Sequence, residues 1–321
     1  MSTKNEVLRT LMGESAALSG ERLARRLGVS RNSVWKAIEQ LRQEGYEIEA
    51  ATNRGYRLVA APNRVSVPEI EKYLTAGTIG ARMELHGLLD STNNRAKALA
   101  ATGAPHGYLV IAESQSGGKG RMGRSFFSPE HSGVYITYVL RPKMLAERAV
   151  MITSMAAVAV ARAIEALADV DVKIKWVNDL YINDKKACGI LCEASLDFES
   201  GGLEYAVLGI GVNVTKMEFP PELQDIATSI ENECGHAVSR SRLIAEISNQ
   251  LEALYGQLAT GEFMAESRAR SNVIGRDVTV IRGEERFEAR AVDIDDAGRL
   301  VIRTAEGVSR VGSGEISLKL K

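Results

Sequence analysis

The stretch of this chain most suited to chemistry is Gly118-Lys119-Gly120-Arg121-Met122-Gly123-Arg124. Glycines let backbone N–H groups come close to a ligand, and consecutive N–H groups form a concave anion site. Lys119, Arg121 and Arg124 add three positive charges within six residues, which suits a phosphate or an acyl phosphate. Gly118, Gly120 and Gly123 also satisfy G-x-G-x-x-G. That pattern marks a dinucleotide site only when a helix opens inside it and an acid follows about twenty residues on. Here Ser125-Phe126-Phe127-Ser128-Pro129 follows, then a second strand-like run, so the dinucleotide reading fails. Ser125 stands where a kinase glycine loop carries valine, and there is no Walker A sequence. Taken alone, the loop is equally well read as a solvated basic turn.

Other segments carry polar or charged groups at turns. Asp90-Ser91-Thr92-Asn93 leads into a helix, and Glu113-Ser114-Gln115 precedes the glycine loop. Lys175-Trp176-Val177-Asn178-Asp179 is followed by Lys185-Lys186-Ala187-Cys188-Gly189-Ile190-Leu191. Gly209-Ile210-Gly211-Val212-Asn213 closes a strand, and Gly314-Glu315-Ile316-Ser317-Leu318 lies near the C-terminus. Each has an ordinary reading too: Lys186 as a hairpin lysine, Trp176 as packing, Asn178-Asp179 as a turn. The four histidines (86, 106, 131 and 236) are scattered and the three cysteines form no ligand pattern, so no metal site held by the protein alone is expected.

The elements that position these groups follow from periodicity. Glu6–Met12, a segment capped by Ser19 and ended by Gly28, and a segment capped by Ser30 and stopped at Gly45 read as three helices. Tyr46–Ala50 and Gly55–Val59 read as a hairpin turning at Asn53-Arg54. Three helices and a hairpin within sixty residues make a winged helix-turn-helix, ended by the linker Ala60-Ala61-Pro62-Asn63. The body, from Val65, shows strands at 108–113, 133–140, 172–177, 180–182, 187–194 and 205–214, with helices at 151–168 and 243–258. Strands joined by short turns with few helices predict a mixed α+β sheet rather than a doubly wound one. After Gly275, β runs at 278–281, 287–293, 300–304 and 308–311 are separated by turns at Gly283-Glu284, Asp295–Gly298 and Glu306-Gly307, as in a small β-barrel. The expected division is therefore 1–62, 65–272 and 273–321, a multidomain α+β chain.

Composition agrees with that class. Apolar content is 45% and charged content 25%, ordinary for a globular protein. The first twenty residues mix charges with apolar residues, and the most apolar stretch, 151–170, contains Arg162, Glu165 and Asp169. Neither a signal peptide nor a membrane span is expected. An odd number of cysteines fits a reducing cytoplasm. Residues 1–62 hold ten Lys/Arg against seven Glu, +3 within a chain of net charge −1, so the rest carries −4. A basic N-terminal unit on a mildly acidic body points to a polyanion partner for that unit alone.

The motif set, in this order and spanning nearly the whole chain, resembles the biotin protein ligases, and with the winged helix it resembles the bifunctional members that repress the biotin operon. The resemblance implies a central mixed α/β domain like the class II aminoacyl-tRNA synthetase and biotin ligase catalytic core, and a C-terminal SH3-like β-barrel. It implies biotin and Mg²⁺-ATP as substrates, biotinyl-AMP as intermediate, and a lysine of a carboxylase's biotin carboxyl carrier domain as acceptor. By position, Ser91, Thr92, Asn93 and Gln115 match groups that bind the biotin head, whose urea-like atoms need donors and acceptors. Lys119, Gly120 and Arg121 match the loop over biotin and adenylate, Lys186 the lysine near the carboxylate and α-phosphate, and Gly189 a close backbone approach. Gly118, Arg121, Arg124, Asn178, Asp179, Lys186 and Asn213 fall on the ATP side, with Lys186, Arg121 and Lys119 as the catalytic cations. Two positions depart from the pattern: Lys119 stands where arginine is frequent, and Val177 where proline is. A point charge there replaces a bidentate fork.

For the N-terminal unit, the second helix of a helix-turn-helix enters the major groove by its N-terminal end. Arg31, Asn32, Ser33, Trp35 and Lys36 are the candidates, with Ser19 on the preceding helix and Arg54 and Arg57 on the wing for phosphates. So modest a charge predicts weak binding by one copy and favours a homodimer, formed with the adenylate, on operator DNA. A lipoate or other acyl-carboxylate ligase of the same fold and a non-catalytic biotin sensor are the rival readings.

Overall fold

The computed structural model describes residues 2–51, 55–197, 199, 201–282, 285–312 and 317–320. They form two compact units: residues up to Tyr73 together with Ser239–Arg242, and Leu74–Val238 together with residues from Leu243 on. Residues 63–73, outside the winged helix as read from the sequence, group with the first unit.

In the first unit, helices α1 (Thr3–Met12), α2 (Gly20–Leu27) and α3 (Arg31–Gln43) are followed by strands β1 (Glu47–Ala51) and β2 (Gly55–Ala60) and by helix α4 (Val67–Tyr73). Ser19 and Ser30 cap α2 and α3 by accepting the Arg22 and Ser33 N–H groups, and Gly28 ends α2 in the left-handed region. Val7, Leu8, Leu11, Leu23, Val34, Ile38 and Leu41, at helical spacing along the three helices, fill one core, with Leu27 partly buried against it. Paired backbone bonds between Leu18 and Tyr56 dock the segment before α2 on the hairpin. A Cβ on Gly55 would lie 2.1 Å from the Leu18 carbonyl oxygen, so only glycine fits at that wing position. The turn expected at Asn53-Arg54 lies outside the described residues.

The second unit centres on a seven-stranded mixed sheet. Its elements in chain order are β3 (Met83–Leu89), α5 (Thr92–Ala101), β4 (Tyr108–Gln115), β5 (Gly133–Leu140), α6 (Val150–Glu165), β6 (Lys173–Lys175), β7 (Asp179–Ile182), β8 (Lys185–Leu196) and β9 (Leu203–Asn213). The strand order is β3-β4-β5-β9-β8-β7-β6, with β3 and β4 parallel and every other pair antiparallel. Fourteen of the sixteen residues of α6 are buried, which makes it an internal helix. No helix among the described residues is long and apolar enough to cross a membrane. Asn183 and Asp184, both at positive φ, make the β7–β8 turn where the sequence placed it.

Helices α7 (Ile230–Cys234), α8 (Arg240–Tyr255) and α9 (Met264–Ala269) follow. The last strands are β10 (Asp277–Arg282), β11 (Glu285–Ile294), β12 (Leu300–Thr304), β13 (Gly307–Val311) and β14 (Ser317–Leu320). They form a five-stranded antiparallel sheet in the order β13-β12-β11-β10-β14. Trp176, buried, donates its indole N–H to the Gly298 carbonyl of this sheet's β11–β12 turn. The turn Gly283-Glu284 and residues 314–316 of the C-terminal motif lie outside the described residues. Strands β3 and β14 and helices α4, α7 and α9 were not foreseen. β3 is a half-exposed edge strand with no apolar run to announce it.

Candidate active site

A cleft opens over one face of the central sheet, and the glycine loop, the start of α5 and the β7–β8 hairpin border it. Its polar end begins at Ser91, in the N-cap position of α5. The serine does not cap its helix, and among the described residues its hydroxyl takes no hydrogen bond although the residue is 2% exposed. That leaves a donor and an acceptor facing the cleft. Beside it, Thr92 donates from both backbone N–H and hydroxyl to Oε1 of Gln115 (2.8 and 3.1 Å), and Gln115 Nε2 donates to Ser128 Oγ at 3.0 Å. Thr137 lies within 2.8 Å of Thr92 Oγ1 and 2.7 Å of Asn93 Oδ1. The Asn93 amide donates to Glu193 Oε2 at 2.8 Å and to the Leu191 carbonyl at 3.3 Å. Lys97 closes the chain on Glu193; burial works against that carboxylate's charge, but Lys97 and Asn93 outweigh it and hold its pKa below the ordinary range. Asn93 is thus committed to the protein, while Ser91 and the remaining Gln115 N–H are positioned for a ligand.

The floor is made of glycine. Gly189 of β8 and Gly209 and Gly211 of β9 line the cleft. A Cβ on Gly209 would lie 2.1 Å from Asn93 Oδ1, and one on Gly211 would lie 2.6 Å from the Phe126 ring. Their absence lets the amide and the ring rest directly on the sheet. Phe126, edge-on to Tyr135 at 6.4 Å, gives the middle of the cleft an apolar wall.

The other end is cationic. Lys186 Nζ sits 2.8 Å from Asp179 Oδ1, and Asn178 Nδ2 donates to the same oxygen at 3.0 Å. Arg121 reaches Asn178 Oδ1 at 3.1 Å; burial disfavours its charge, Asp179 opposes that and Arg124 adds to it, and the net effect is a lowered pKa. Lys119, exposed on the same loop, turns back to the polar end and donates to Asn94 Oδ1 on α5 at 2.6 Å. The loop closes on itself through Gly120 N–H to the Arg124 carbonyl (2.7 Å) and Phe126 N–H to the Gly118 carbonyl (2.9 Å). Backbone bonds from Lys186 to Ile226 and from Thr228 to Lys186 pin the base of that lysine. Such a site can hold a carboxylate against a phosphate and offset the charge that develops between them. Among the described residues no cluster of three or more His, Cys, Asp or Glu could hold a metal ion.

Fourteen positions were singled out for the cleft. Ser91, Thr92, Asn93, Gln115, Lys119, Gly120, Arg121, Arg124, Asn178, Asp179, Lys186 and Gly189 all line it. Gly118 and Asn213 do not. Gly118 serves the loop's closure, since a Cβ there would meet the Phe126 carbonyl at 2.5 Å. Asn213 is buried and donates to the Thr228 carbonyl at 3.0 Å, bracing the segment that pins Lys186.

On the first unit, Arg31, Asn32, Trp35 and Lys36 at the start of α3 are exposed, Trp35 by 53%. Ser33 is partly buried, with its hydroxyl 2.9 Å from that of Ser30. The Ser19 oxygen is engaged as the α2 cap, Arg57 pairs with Glu49 at 2.8 Å on the hairpin, and Arg54 lies outside the described residues.

Three family models match in chain order: an HTH domain over residues 3–57, the biotin/lipoate A/B protein ligase family over 86–213 and the biotin protein ligase C terminal domain over 273–319. The chain is 38% identical over 308 residues to the bifunctional ligase/repressor BirA of Bacillus subtilis, covering 94% of each. The chain belongs to the biotin protein ligase family. Its likeness to the bifunctional ligase/repressor members runs along the whole chain, and that of Escherichia coli is 28% identical over 94% of this chain and 92% of its own. The biotin protein ligase from Aquifex aeolicus in complex with biotin and ATP superposes with a TM-score of 0.65 at 26% identity, covering 75% of this chain and all of that one.

Within this ligase, sequence reasoning missed Phe126, Ser128, Thr137, Glu193 and Lys175 as parts of the cleft or its support. Of the cleft's unforeseen parts, the glycine floor had a readable signal. Gly209 and Gly211 are two apart on a strand, hence on one face, and two glycines on one face of an apolar strand announce a close approach.

Proposed function

We propose that this ligase condenses biotin with Mg²⁺-ATP to biotinyl-AMP and transfers the biotinyl group to a lysine of a biotin carboxyl carrier domain of a carboxylase. The observation that carries this reading is one cleft in which a hydroxyl–amide end (Ser91, Gln115) and a cationic end (Lys186, Arg121) are joined by a glycine floor. The urea-like head meets Ser91, Gln115 and the Thr92 region, the aliphatic tail crosses Gly209 and Gly211 beside Phe126, and the carboxylate arrives at Lys186. In the first step a carboxylate oxygen bonds to the α-phosphorus and the bond from that phosphorus to the β-phosphate bridge breaks, releasing pyrophosphate. In the second the acceptor amine attacks the acyl carbon, AMP leaves with the electron pair, and the amine gives up a proton. Both steps concentrate negative charge beside Lys186 and Arg121, whose role is to neutralise it. Gly120 and Arg124 carry the loop over the adenylate, Gly189 admits it, and Asn178 and Asp179 face its nucleotide. One carboxylate, Asp179, suits a magnesium ion that travels with the nucleotide and keeps most of its waters.

The first unit is the DNA-binding arm. Arg31, Asn32, Trp35 and Lys36 meet base edges and phosphates of an operator, and a homodimer formed with the adenylate places two such helices on it. In this reading residues 1–62 are the DNA-binding domain, 65–272 the catalytic domain and 273–321 an SH3-like C-terminal domain, in a cytoplasmic protein. Incubation with biotin, Mg²⁺-ATP and a purified carrier domain tests the reading. Addition of one biotinyl group to the carrier, dependent on all three, supports it, and an unmodified carrier refutes it. Lipoate in place of biotin separates the rival acid.

A further inference from the structure

Lys175, the last residue of β6, is a cleft cation with no role in the account so far. It lines the cleft and is partly buried. Lys186 has Asp179 at 2.8 Å, but among the described residues Lys175 has no carboxylate within ion-pairing distance. Its ammonium reaches the Tyr181 hydroxyl at 3.5 Å, the outer limit of a hydrogen bond, and lies 5.5 Å from that ring's centroid. An ammonium offers three donors, so most of its capacity is unused. Burial accordingly pushes its pKa down, Asp179 pulls the other way, and Lys186 and Arg124 add to the depression. A partly buried cation among other cations, short of acceptors, is a group that gains when an anion enters.

The sheet indicates which anion. Across the strand order, Gln115 ends β4, the glycine floor lies on β9 and β8, Lys186 and Asp179 stand on β8 and β7, and Lys175 stands on β6 beyond them. Lys175 pairs in register with Asp179 on the next strand. The acid, the α-phosphate and the remaining phosphates are likewise joined in a line. We propose that Lys175 forms an anion subsite for the β- and γ-phosphates, so that it binds the pyrophosphate leaving group and acts in adenylate formation but not in acyl transfer. The proposal rests on the ligase reading above. The bond that breaks lies between the α-phosphorus and the oxygen bridging to the β-phosphorus, and the charge released onto that oxygen is the charge Lys175 meets.

The two half-reactions separate the roles. In biotin-dependent ATP–pyrophosphate exchange, Lys175→Met should raise the KM for pyrophosphate about tenfold or more, the worth of one charge-assisted hydrogen bond. The KM for biotin should stay within about twofold, and so should transfer from chemically prepared biotinyl-AMP to a carrier domain. Lys175→Arg should recover most of the exchange. An unchanged pyrophosphate KM in Lys175→Met, or equal losses in exchange and in transfer, overturns the subsite. The second pattern, with a lowered melting temperature, would make the lysine a packing residue. Lys175→Gln, which keeps a polar tip, gives the same comparison if the methionine variant does not fold. Wild-type protein without any biotin-dependent exchange would overturn the ligase reading itself, whereas an active wild type with an indifferent Lys175→Met overturns only the subsite.

Discussion

Gly209→Ala tests the construction of the cleft at its tightest point. The added Cβ would stand 2.1 Å from Asn93 Oδ1, where real Cβ contacts essentially never fall below 3.0 Å. The obstacle is an amide anchored on three sides, by Thr137 at 2.7 Å, Glu193 at 2.8 Å and the Leu191 carbonyl at 3.3 Å. Retreat of the amide lengthens or breaks at least its bonds to Thr137 and Glu193. A neutral bond contributes about 1 kcal/mol and one to a charged group about 2 kcal/mol, so the loss is about 3 kcal/mol. Part will appear as reduced stability, a melting point lower by about 6–12 °C if all of it does. The rest will appear as a raised KM for biotin, because Thr137 also contacts Thr92, which holds Gln115. Chemical denaturation and biotin titration should be run on Gly209→Ala, Asn93→Ala and the double variant. In the Asn93→Ala background the extra methyl group should cost little, since its obstacle is gone. If Gly209→Ala costs as much there as in the wild type, or leaves stability and biotin KM untouched, the account of the floor is wrong.

Three further outcomes follow from the same geometry. Lys186→Ala should abolish biotin-dependent ATP–pyrophosphate exchange, and undiminished exchange would remove that lysine from the site. Trp35→Ala, exposed on α3, should weaken operator binding measured by footprinting by about tenfold (about 1.4 kcal/mol) while carrier biotinylation is unchanged; equal footprints would take α3 out of the DNA interface. Burial works against the charge of Glu252, but the backbone N–H groups of Ile79, Thr78 and Gly77 more than offset it and leave its pKa below the ordinary value. A depressed carboxylate stabilises above its unfolded pKa, about 4.3, and that stability is lost as pH falls through the folded value. The stability gap between wild type and Glu252→Gln should therefore be full near pH 7 and shrink below about pH 4; a gap independent of pH would show that the charge is irrelevant.

Much of this architecture was legible because particular residues carry their own instructions. Ser19, Ser30, Gly28 and Gly45 mark where the second and third helices begin and end, and Asn183-Asp184 marks the β7–β8 turn through its tolerance of positive φ. The cations of the glycine loop were visible in the sequence but equally readable as a solvated basic turn, and only their order with Ser91-Thr92-Asn93, Gln115 and Lys186 gave them a role. What stayed hidden was set by tertiary contact. Glu193 and Thr137 look like ordinary strand residues, and only the fold brings them to Asn93 from 100 and 44 residues away. Lys175 could be weighed only once β6 was known to stand beyond Lys186 in the sheet. Asn213, at the end of a glycine-bearing strand, looked like a cleft residue, but its side chain turns to Thr228 instead.

The central claim is that the polar pocket and the cationic rim together make an acyl-adenylate. The direct measurement is to incubate the purified protein with biotin and Mg²⁺-ATP in the absence of any acceptor, then to assay bound nucleotide by mass spectrometry and released pyrophosphate by coupled enzymes. The account predicts about one biotinyl-AMP retained and one pyrophosphate released per cleft, with the adenylate discharged when a carrier domain is added. Protein that holds biotin and ATP side by side, with neither mixed anhydride nor pyrophosphate formed, would contradict it.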